Sequence, residues 1–229
     1  MMEIRRSAAR GHANHGWLDS RHTFSFAGYR DPRFMGFGHL RVINEDRMAP
    51  GRGFGTHPHR NMEIISYVVS GGLAHRDTIG NGSTIRPGEV QLMSAGRGIA
   101  HSELNASEDT PVEFLQIWVL PAKTGGPPSY QQRDFADAPG LRLVVSPDGR
   151  NDSLRIQQDM ELWRLLLPQD TRDAYTLSRR RAWVQVMRGT LDVNGARLFA
   201  GDGLAITDVD QLTLHATSGD VEALIFDLQ

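Results

Sequence analysis

The sequence predicts an all-β protein made of two tandem barrels, and three observations support that prediction. Short apolar runs rich in β-branched and aromatic residues recur along the chain, separated by glycine, proline, asparagine or aspartate. Four prolines and three glycines gather between Pro121 and Gly140, as they do in linkers. The sequences on either side of that stretch follow a similar pattern. Many short strands with few long helical periods are typical of sandwiches and barrels.

The predicted strands form two series. In the first half the runs are HLRVIN, EIISYVVSGG, EVQLMSAGRG and VEFLQIWVLP, and in the second LRLVVSPDG, MELWRLLLP, AWVQVMRGTLDVNG, GLAITDVDQLTLHA and EALIFDL. The two halves share an internal pattern of strand, glycine turn, strand, turn and strand. In the first half it is found in YVVSGGLAHRD followed by IRPGEVQLMSAG, and in the second half in QVMRGTLDVNG followed by LFAGDGLAITDV. We therefore predict an N-terminal barrel over residues 1–125, a linker over 126–140 and a C-terminal barrel over 141–229.

The composition excludes several classes of function. The 25 Lys and Arg residues nearly balance the 27 Asp and Glu residues, so no basic field exists to hold a nucleic acid. The chain has no cysteine, which leaves His, Asp and Glu as the strong metal ligands. No run approaches the ~18 apolar residues of a membrane-spanning helix, and the N-terminus has no apolar signal segment. We expect a cytoplasmic protein without nucleic-acid or membrane partners, and a monomer is favoured.

The segment GFGTHPHRNMEI, residues 53–64, places two histidines at strand spacing. Residues i and i+2 of a strand point to the same face. His57 and His59 are therefore predicted to project together, with Asn61 and Glu63 behind them on that face. Adjacent imidazoles repel when protonated, and a shared divalent cation removes the conflict. A single buried histidine more often has a structural role than a metal-ligand role. For two histidines at this spacing, the two roles are about equally expected.

The segment MSAGRGIAHSEL, residues 93–104, repeats the spacing with His101 and Glu103. Two such pairs on facing strands would supply three imidazole nitrogens and one carboxylate, a set that suits Fe, Mn, Ni, Cu or Zn. Such a set leaves adjacent positions open on an octahedral ion, for a chelating oxygen ligand or for substrate and dioxygen together. In the second half, His215 has no carboxylate two residues on. One metal site is therefore predicted, in the N-terminal barrel.

These motifs carry a family resemblance. FGTHPHRNMEI and MSAGRGIAHSE, with the upstream GHANHGWLDSRHTFSFAGYRDPRFMGFGHLRVIN, are similar to the pirin family of the cupin superfamily, and look closest to its bacterial pirin-like bicupins. The resemblance spans nearly the whole chain. It implies two tandem cupin barrels, also called double-stranded β-helix or jelly-roll barrels. It also implies a metal-dependent dioxygenase that cleaves the heterocyclic ring of a flavonol such as quercetin, giving a depside and carbon monoxide.

The resemblance also implies a set of site residues. The expected metal ligands are three imidazoles and one carboxylate, those of His57, His59, His101 and Glu103. Iron is the expected ion, with Cu, Mn, Ni, Co and Zn as alternatives. Glu103 is also the expected catalytic base, which takes the proton of the flavonol 3-hydroxyl before the substrate reacts with dioxygen. Glu63, the usual carboxylate of the first motif in general cupins, is expected behind the ligands, together with Asn61 and Gln116.

Two other functions would use the same centre. Eukaryotic pirins look like transcriptional co-regulators, so a non-enzymatic metal or redox sensor that binds a protein partner would need the same ligands. A cupin isomerase acting on a sugar phosphate would need a basic cluster near the metal, where the sequence offers Arg52, Arg60 and Arg97. Packing or surface roles are predicted for the histidines without ligand spacing, which are His12, His15, His22, His39 and His75.

Overall fold

The computed structural model describes residues 1–136 and 138–229, and it confirms the all-β prediction. Two short 3-10 turns, Ser7–Ala9 and Arg150–Asp152, interrupt the strands. No helix in the described part of the chain is long and apolar enough to cross a membrane. In chain order the strands are β1 (Met2–Arg5), β2 (Gly11–Asn14), β3 (Leu18–His22), β4 (Leu40–Met48), β5 (Gly53–His59), β6 (Glu63–Ser70), β7 (Leu73–Asp77), β8 (Gly82–Ile85), β9 (Glu89–Ser94), β10 (Ile99–Asn105), β11 (Val112–Val119), β12 (Ser129–Asp134), β13 (Gly140–Ser146), β14 (Leu154–Arg155), β15 (Met160–Leu167), β16 (Arg172–Thr176), β17 (Arg181–Val193), β18 (Ala196–Phe199), β19 (Gly203–Thr207) and β20 (Gln211–Leu228).

The described residues fold into two compact units. The first unit comprises Gly11–Ala136 and Ile156–Gln158, and the second comprises Met1–Arg10, Asp159–Gln229 and residues 138–155. These bounds differ from the predicted ones because β1 pairs with β19 of the second unit, and because β12, inside the predicted linker, pairs with β9. A terminal strand can join any free sheet edge, so its own sequence does not specify its partner. Asp137, also within the predicted linker, lies outside the described residues.

The first unit contains two antiparallel sheets. The large sheet has the order β12-β9-β6-β11-β4-β3-β2, and the small sheet has the order β5-β10-β7-β8. Hydrogen bonds from Ser66 and Gln116 of the large sheet to Glu103 of the small sheet show that the two inner faces meet. Buried apolar side chains also line the interior, including Ile64 and Val68 on β6. The unit is therefore a two-sheet barrel with its core between the sheets.

The second unit is built on one sheet in the order β1-β19-β17-β20-β15-β13-β14, to which β16 and β18 add at β20 and β17. Its interior is a continuous apolar cluster that includes Val184, Leu204 and Leu214. In the first unit a turn at Gly71 separates β6 from β7, whereas β17 continues through Gly189 with a shift in register. Both glycines have positive φ, +80° and +74°, which L-residues with side chains rarely adopt. The second unit thus keeps the bend at its glycine, but strand β17 continues through that bend instead of ending there.

Candidate metal centre

Strands β5 and β10 place three histidines beside one another. The strands are antiparallel neighbours in the small sheet, with His57 directly opposite His101. The ring centroids of His57, His59 and His101 are 4.5–4.9 Å apart. One nitrogen from each ring lies within 4.8 Å of the others. The two predicted pairs therefore lie on neighbouring antiparallel strands of one sheet, and their imidazoles converge as a metal site requires.

The environment keeps the imidazoles of His59 and His101 neutral. Burial and the neighbouring His57 lower the pKa of His59 to about 4. Burial, together with His57, His59 and His75, lowers the pKa of His101 to about 3. A neutral imidazole retains the lone pair that a metal ion needs, whereas a protonated one does not. At neutral pH His59 and His101 are therefore ready to bind a cation without first losing protons.

Hydrogen bonds fix which ring nitrogens remain available. The Nδ1 atom of His57 lies 2.8 Å from the carbonyl oxygen of Gly55, so Nδ1 carries the proton and Nε2 keeps its lone pair. The Nε2 atom of His101 is buried and has no hydrogen-bond partner among the described residues. An unpaired buried nitrogen is unfavourable unless something binds it. A metal ion at this point satisfies it, and the residues present therefore fit a divalent metal.

Behind His101 lies a buried chain of hydrogen bonds that the sequence analysis missed. The Nε2 atom of His75 is 3.1 Å from Oδ2 of Asp77, and its Nδ1 is 3.4 Å from Nδ1 of His101. Because the carboxylate accepts, the tautomer of His75 that matches this contact has its proton on Nε2 and a bare Nδ1. His101 must then donate from its own Nδ1, which leaves its Nε2 free for a metal. The signal was the i, i+2 spacing of His75 and Asp77 in LAHRD.

Glu103 lies beside the histidines but is anchored elsewhere. A register shift separates it from His101 on β10. Its Oε1 accepts a hydrogen bond from the Ser66 hydroxyl (3.2 Å), and its Oε2 accepts one from Nε2 of Gln116 (2.7 Å). The side chain is fully buried, and burial raises the pKa of Glu103 although Gln116 and nearby histidines oppose this. Its carboxylate is not part of the compact three-histidine group found in the described residues.

Gln116 belongs to a line of polar residues that crosses the inner face of the large sheet. Cross-strand register pairs Gln91 with Ser66, Ser66 with Gln116, Gln116 with Asn44, and Asn44 with His22. We call these five residues the polar row. Its members are all buried, and Nδ1 of His22 lies 2.9 Å from Oδ1 of Asn44. The polar row thus connects Glu103 to His22, a histidine for which only packing or a surface role was expected.

Two predicted residues behind the ligands lie elsewhere. Strand β5 ends at His59, and Asn61 has a left-handed φ of +53°, which breaks the alternation expected to continue to Glu63. The Asn61 side chain accepts a hydrogen bond from the backbone of Gly125. Glu63 accepts hydrogen bonds from Ser94 (2.8 Å) and from the backbone of Gln157 (3.2 Å). In the described structure neither side chain bonds to a histidine, whereas Gln116 does bond to the predicted ligand Glu103.

A cavity of about 780 Å³ opens beside the histidines. His57, His59 and Glu103 form part of its wall, and so do Gln116 and Asp46. Aromatic side chains supply much of the remaining surface, namely those of Trp17, Phe26, Tyr29, Phe54 and Trp118. No lysine or arginine among the described residues lines it. The cavity therefore suits a planar, largely apolar molecule with a few polar substituents.

Comparison with known proteins agrees with this architecture. A family model described as Pirin matches residues 3–119, and one described as quercetinase C-terminal cupin domain matches residues 143–228. The chain is 50% identical over 229 residues to the quercetin 2,3-dioxygenase of Escherichia coli K12, covering 100% of this chain and 99% of that one.

Two crystal structures of YhhW from Escherichia coli are each 50% identical to the chain. The first has a TM-score of 0.97 and covers 100% of this chain and 98% of that one. The second, a bacterial pirin in complex with nickel(II), has a TM-score of 0.95 and covers 100% and 99%. The prediction of two tandem cupin barrels is confirmed.

Proposed function

This chain belongs to the pirin family of cupin proteins, and from that premise we propose that it is a metal-dependent dioxygenase which cleaves the heterocyclic ring of a flavonol such as quercetin. A depside and carbon monoxide are the proposed products. The observation that carries the proposal is the convergence of three imidazoles, two of which, those of His57 and His59, lie on the wall of an aromatic-lined cavity. The names of the relatives agree with it.

The ion is proposed to be held by the four residues His57, His59, His101 and Glu103. Imidazole nitrogens with one carboxylate suit several divalent transition metals. Iron is the proposed native ion, with Cu, Mn, Ni, Co and Zn as alternatives, and nickel is the ion in the related YhhW complex. When bound, the metal supplies a Lewis acid for a substrate oxygen and an electronic route to dioxygen.

Glu103 is the proposed proton acceptor for the flavonol 3-hydroxyl. It lines the cavity, and burial raises its pKa, so it takes up a proton more readily than an exposed glutamate. Ser66 and Gln116 each hold one of its oxygens, which fixes the direction in which the carboxylate faces. Trp118, edge-on to His59 with centroids 5.1 Å apart, offers an apolar wall for a flat ring system. These side chains bind and orient the substrate and keep water from its reacting face.

The cavity lining disfavours a sugar phosphate as the substrate. Phosphate groups are bound by Arg, Lys or backbone amides, and no lysine or arginine of the described residues lines the cavity. Of the arginines near the site in sequence, Arg60 and Arg97 border a separate shallow cleft, where Nε of Arg60 donates to the Arg97 carbonyl. A neutral, hydroxylated aromatic therefore matches the cavity better than an anion.

Oxygen consumption tests the proposal. The purified protein, with its metal quantified, is mixed with quercetin while oxygen uptake and carbon monoxide release are measured. We expect oxygen uptake and carbon monoxide release to increase in proportion to metal content. The His57→Ala protein should show neither. His215→Ala, which alters a histidine of the second unit, serves as the matched control and should behave like the parent protein.

The opposite result has a defined meaning. If metal is bound but no oxygen is consumed with any of the plausible ions, the dioxygenase proposal fails. A metal or redox sensor that binds a protein partner then becomes the better explanation, and a search for that partner follows. If turnover persists at full metal loss, the role given to the histidines is wrong.

A further inference from the structure

The same cavity contains a second carboxyl group that the proposed chemistry does not use. Asp46, on β4, is 4% exposed and lines the cavity. Its Oδ1 accepts a hydrogen bond from the hydroxyl of Ser20 on β3. Among the described residues this is the only hydrogen bond of the Asp46 side chain, so Oδ2 is left to a donor that reaches it from the cavity. A buried carboxyl group with a single donor is unfavourable unless another group binds it.

The charged surroundings do not supply that partner. The titratable groups with the largest effect on Asp46 are Glu103, Glu45 and Asp19, and all three are acidic. With burial as the largest cause, they raise the pKa of Asp46 to about 7, while Ser20 opposes the shift. Since no lysine or arginine of the described chain lines the cavity, the missing partner is a neutral hydrogen-bond donor that enters from the cavity.

The polar row indicates where such a donor would lie. Asp46 follows Asn44 by two residues on β4, so both face the interior, roughly 7 Å apart along the strand. Asn44 is opposite Gln116, which holds Glu103, and is also bonded to His22. Along the strand direction, the separation between Asp46 and the position of Glu103 is therefore about the width of one aromatic ring. A ligand that reaches the metal centre with one oxygen can present a second hydroxyl group to Asp46.

We propose that Asp46, positioned by Ser20, is a recognition site for a second phenolic hydroxyl group of the substrate. The inference rests on the proposed flavonol function and adds a specificity rule to it: the cavity selects chelating aromatics that carry a further hydroxyl group away from the chelating pair. Above its pKa of about 7 the Asp46 side chain is a carboxylate, which binds a phenol through a charge-assisted hydrogen bond. A site built to receive a hydroxyl group discriminates strongly against the analogue that lacks it, because the carboxylate is then left unpaired.

Two flavonols of different hydroxylation provide the probes. Quercetin carries hydroxyl groups on both ring systems, and 3-hydroxyflavone carries only the chelating one. Binding to the nickel-loaded full chain is followed by quenching of tryptophan fluorescence, since Trp17 and Trp118 line the cavity, and oxygen uptake is measured in parallel. We expect the parent protein to bind quercetin at least about tenfold more tightly than 3-hydroxyflavone.

The variant Asp46→Asn keeps the size of the side chain and its contact with Ser20 while removing the carboxylate. We expect it to lose most of the preference for quercetin and to bind 3-hydroxyflavone as the parent does. Asp19→Asn is the matched control, because it removes an acidic neighbour of Asp46 that does not line the cavity, and it should keep the preference. Thermal melting of each variant shows that it is folded.

The outcomes separate this inference from the proposed function. If Asp46→Asn keeps the parent's preference while the parent consumes oxygen, the recognition site is wrong and the dioxygenase proposal stands. If the preference is lost in Asp46→Asn but neither protein consumes oxygen, the recognition site is supported and the dioxygenase proposal fails. If the parent binds neither flavonol, both are overturned.

Discussion

The two units use similar antiparallel architecture but fill their interiors differently. In the second unit one apolar cluster, with Val184 and Leu214 among its members, fills the interior. In the first unit the polar row interrupts the apolar core, as on β6, where Ser66 lies between Ile64 and Val68. The comparison shows that this barrel scaffold tolerates a layer of buried polar groups, and three members of that layer, Gln116, Asn44 and His22, line the cavity beside the candidate metal centre.

Buried carboxyl groups show the same contrast. In the second unit Glu161 receives hydrogen bonds from Arg150 (2.6 Å) and Arg179 (3.0 Å), and these lower its pKa although burial opposes them. In the first unit burial raises the pKa values of Asp46, Glu63 and Glu103. The second unit neutralises its acids with arginine, whereas the first unit leaves its cavity acids without cations. A group that must act on a substrate has to remain available in this way.

The largest expected effect tests whether the two units truly differ in metal binding. His101→Ala removes the nitrogen that is buried and unpaired, so metal content should fall from about one ion per chain to near zero. His215→Ala, the matched change in the second unit, should leave metal content unaltered. Elemental analysis after dialysis measures both proteins. If His101→Ala retained the parent's metal content, the ion would have to bind outside the histidine centre.

The next effect concerns what each interior contributes to stability. Leu214→Ala should lower the free energy of unfolding by about 2–5 kcal/mol, because it leaves a cavity in a continuous apolar core. Ser66→Ala, in the polar row, should lower it by less, about 1–2 kcal/mol, through the lost hydrogen bond to Glu103.

Urea unfolding measures both free energies, and metal titration of the folded proteins completes the comparison. Only Ser66→Ala is expected to weaken metal binding, since Ser66 touches a proposed ligand. Equal losses of stability with equal metal affinities would remove the distinction between the two interiors.

The fold and part of the centre could be predicted because their signals are local. Alternating apolar runs specify strands, and the i, i+2 spacing within β5 specifies that His57 and His59 share a face. The ranking of His101 and Glu103 as partners of that pair came from repeated spacing and from the family motifs. Asn61 shows where this logic ends: its left-handed φ interrupts the alternation, and the carboxylate of Glu63 accepts a hydrogen bond from Ser94 rather than from a histidine.

The remaining features depend on cross-strand register, which no local pattern records. The polar row draws single residues from five strands, β3, β4, β6, β9 and β11, and each residue looks unremarkable in its own segment. Asp46 is likewise identified only by the cavity and by Ser20 across the strand pair. His75 and Asp77 had the right spacing, but their relation to His101 appears only once β7 pairs with β10.

The contrast between the carboxyl groups predicts opposite pH dependences. Because the folded pKa of Asp46 is about 7 against 3.8 as its ordinary value, the folded protein holds a proton that the unfolded chain has lost. The contribution of Asp46 to the free energy of unfolding should therefore fall as pH rises from about 4 to 7, and the Asp46→Asn variant should be more stable than the parent by about 2–4 kcal/mol at pH 8 but not at pH 3.5.

Glu161→Gln in the second unit should behave in the opposite sense. The pKa of Glu161 is lowered in the folded protein, so its contribution is present above pH 4.5, its ordinary value, and is lost as pH falls. The variant should thus be less stable than the parent at neutral pH, and the difference should shrink in acid. Denaturant unfolding between pH 3.5 and 8 measures both variants, and curves parallel to the parent's for either would contradict the assignment for that carboxyl group.

The smallest effect concerns the hydrogen-bond chain behind His101. In Asp77→Asn the amide can donate to Nε2 of His75, which moves the proton of His75 to Nδ1 and places it against the proton on Nδ1 of His101. One ring must then change tautomer, and if His101 does so its Nε2 is protonated and blocked. Residues that orient metal-binding histidines typically change metal affinity by about 10- to 100-fold, so we expect a loss in that range by competitive metal titration.

Two controls separate this orienting role from the role of Asp77 in its turn. Asn81→Ala removes a turn hydrogen bond to the same carboxylate (2.9 Å) and should lower the melting temperature without changing metal affinity. Asp19→Asn disrupts the exposed pair of Asp19 with His12 (3.0 Å) and should change neither. A dissociation constant for Asp77→Asn equal to that of Asp19→Asn would mean that His101 is oriented by its strand alone. A loss of metal affinity in Asp77→Asn alone would mean that metal binding in the first unit depends on a chain of three residues, His101, His75 and Asp77. No such chain supports His215 in the described part of the second unit.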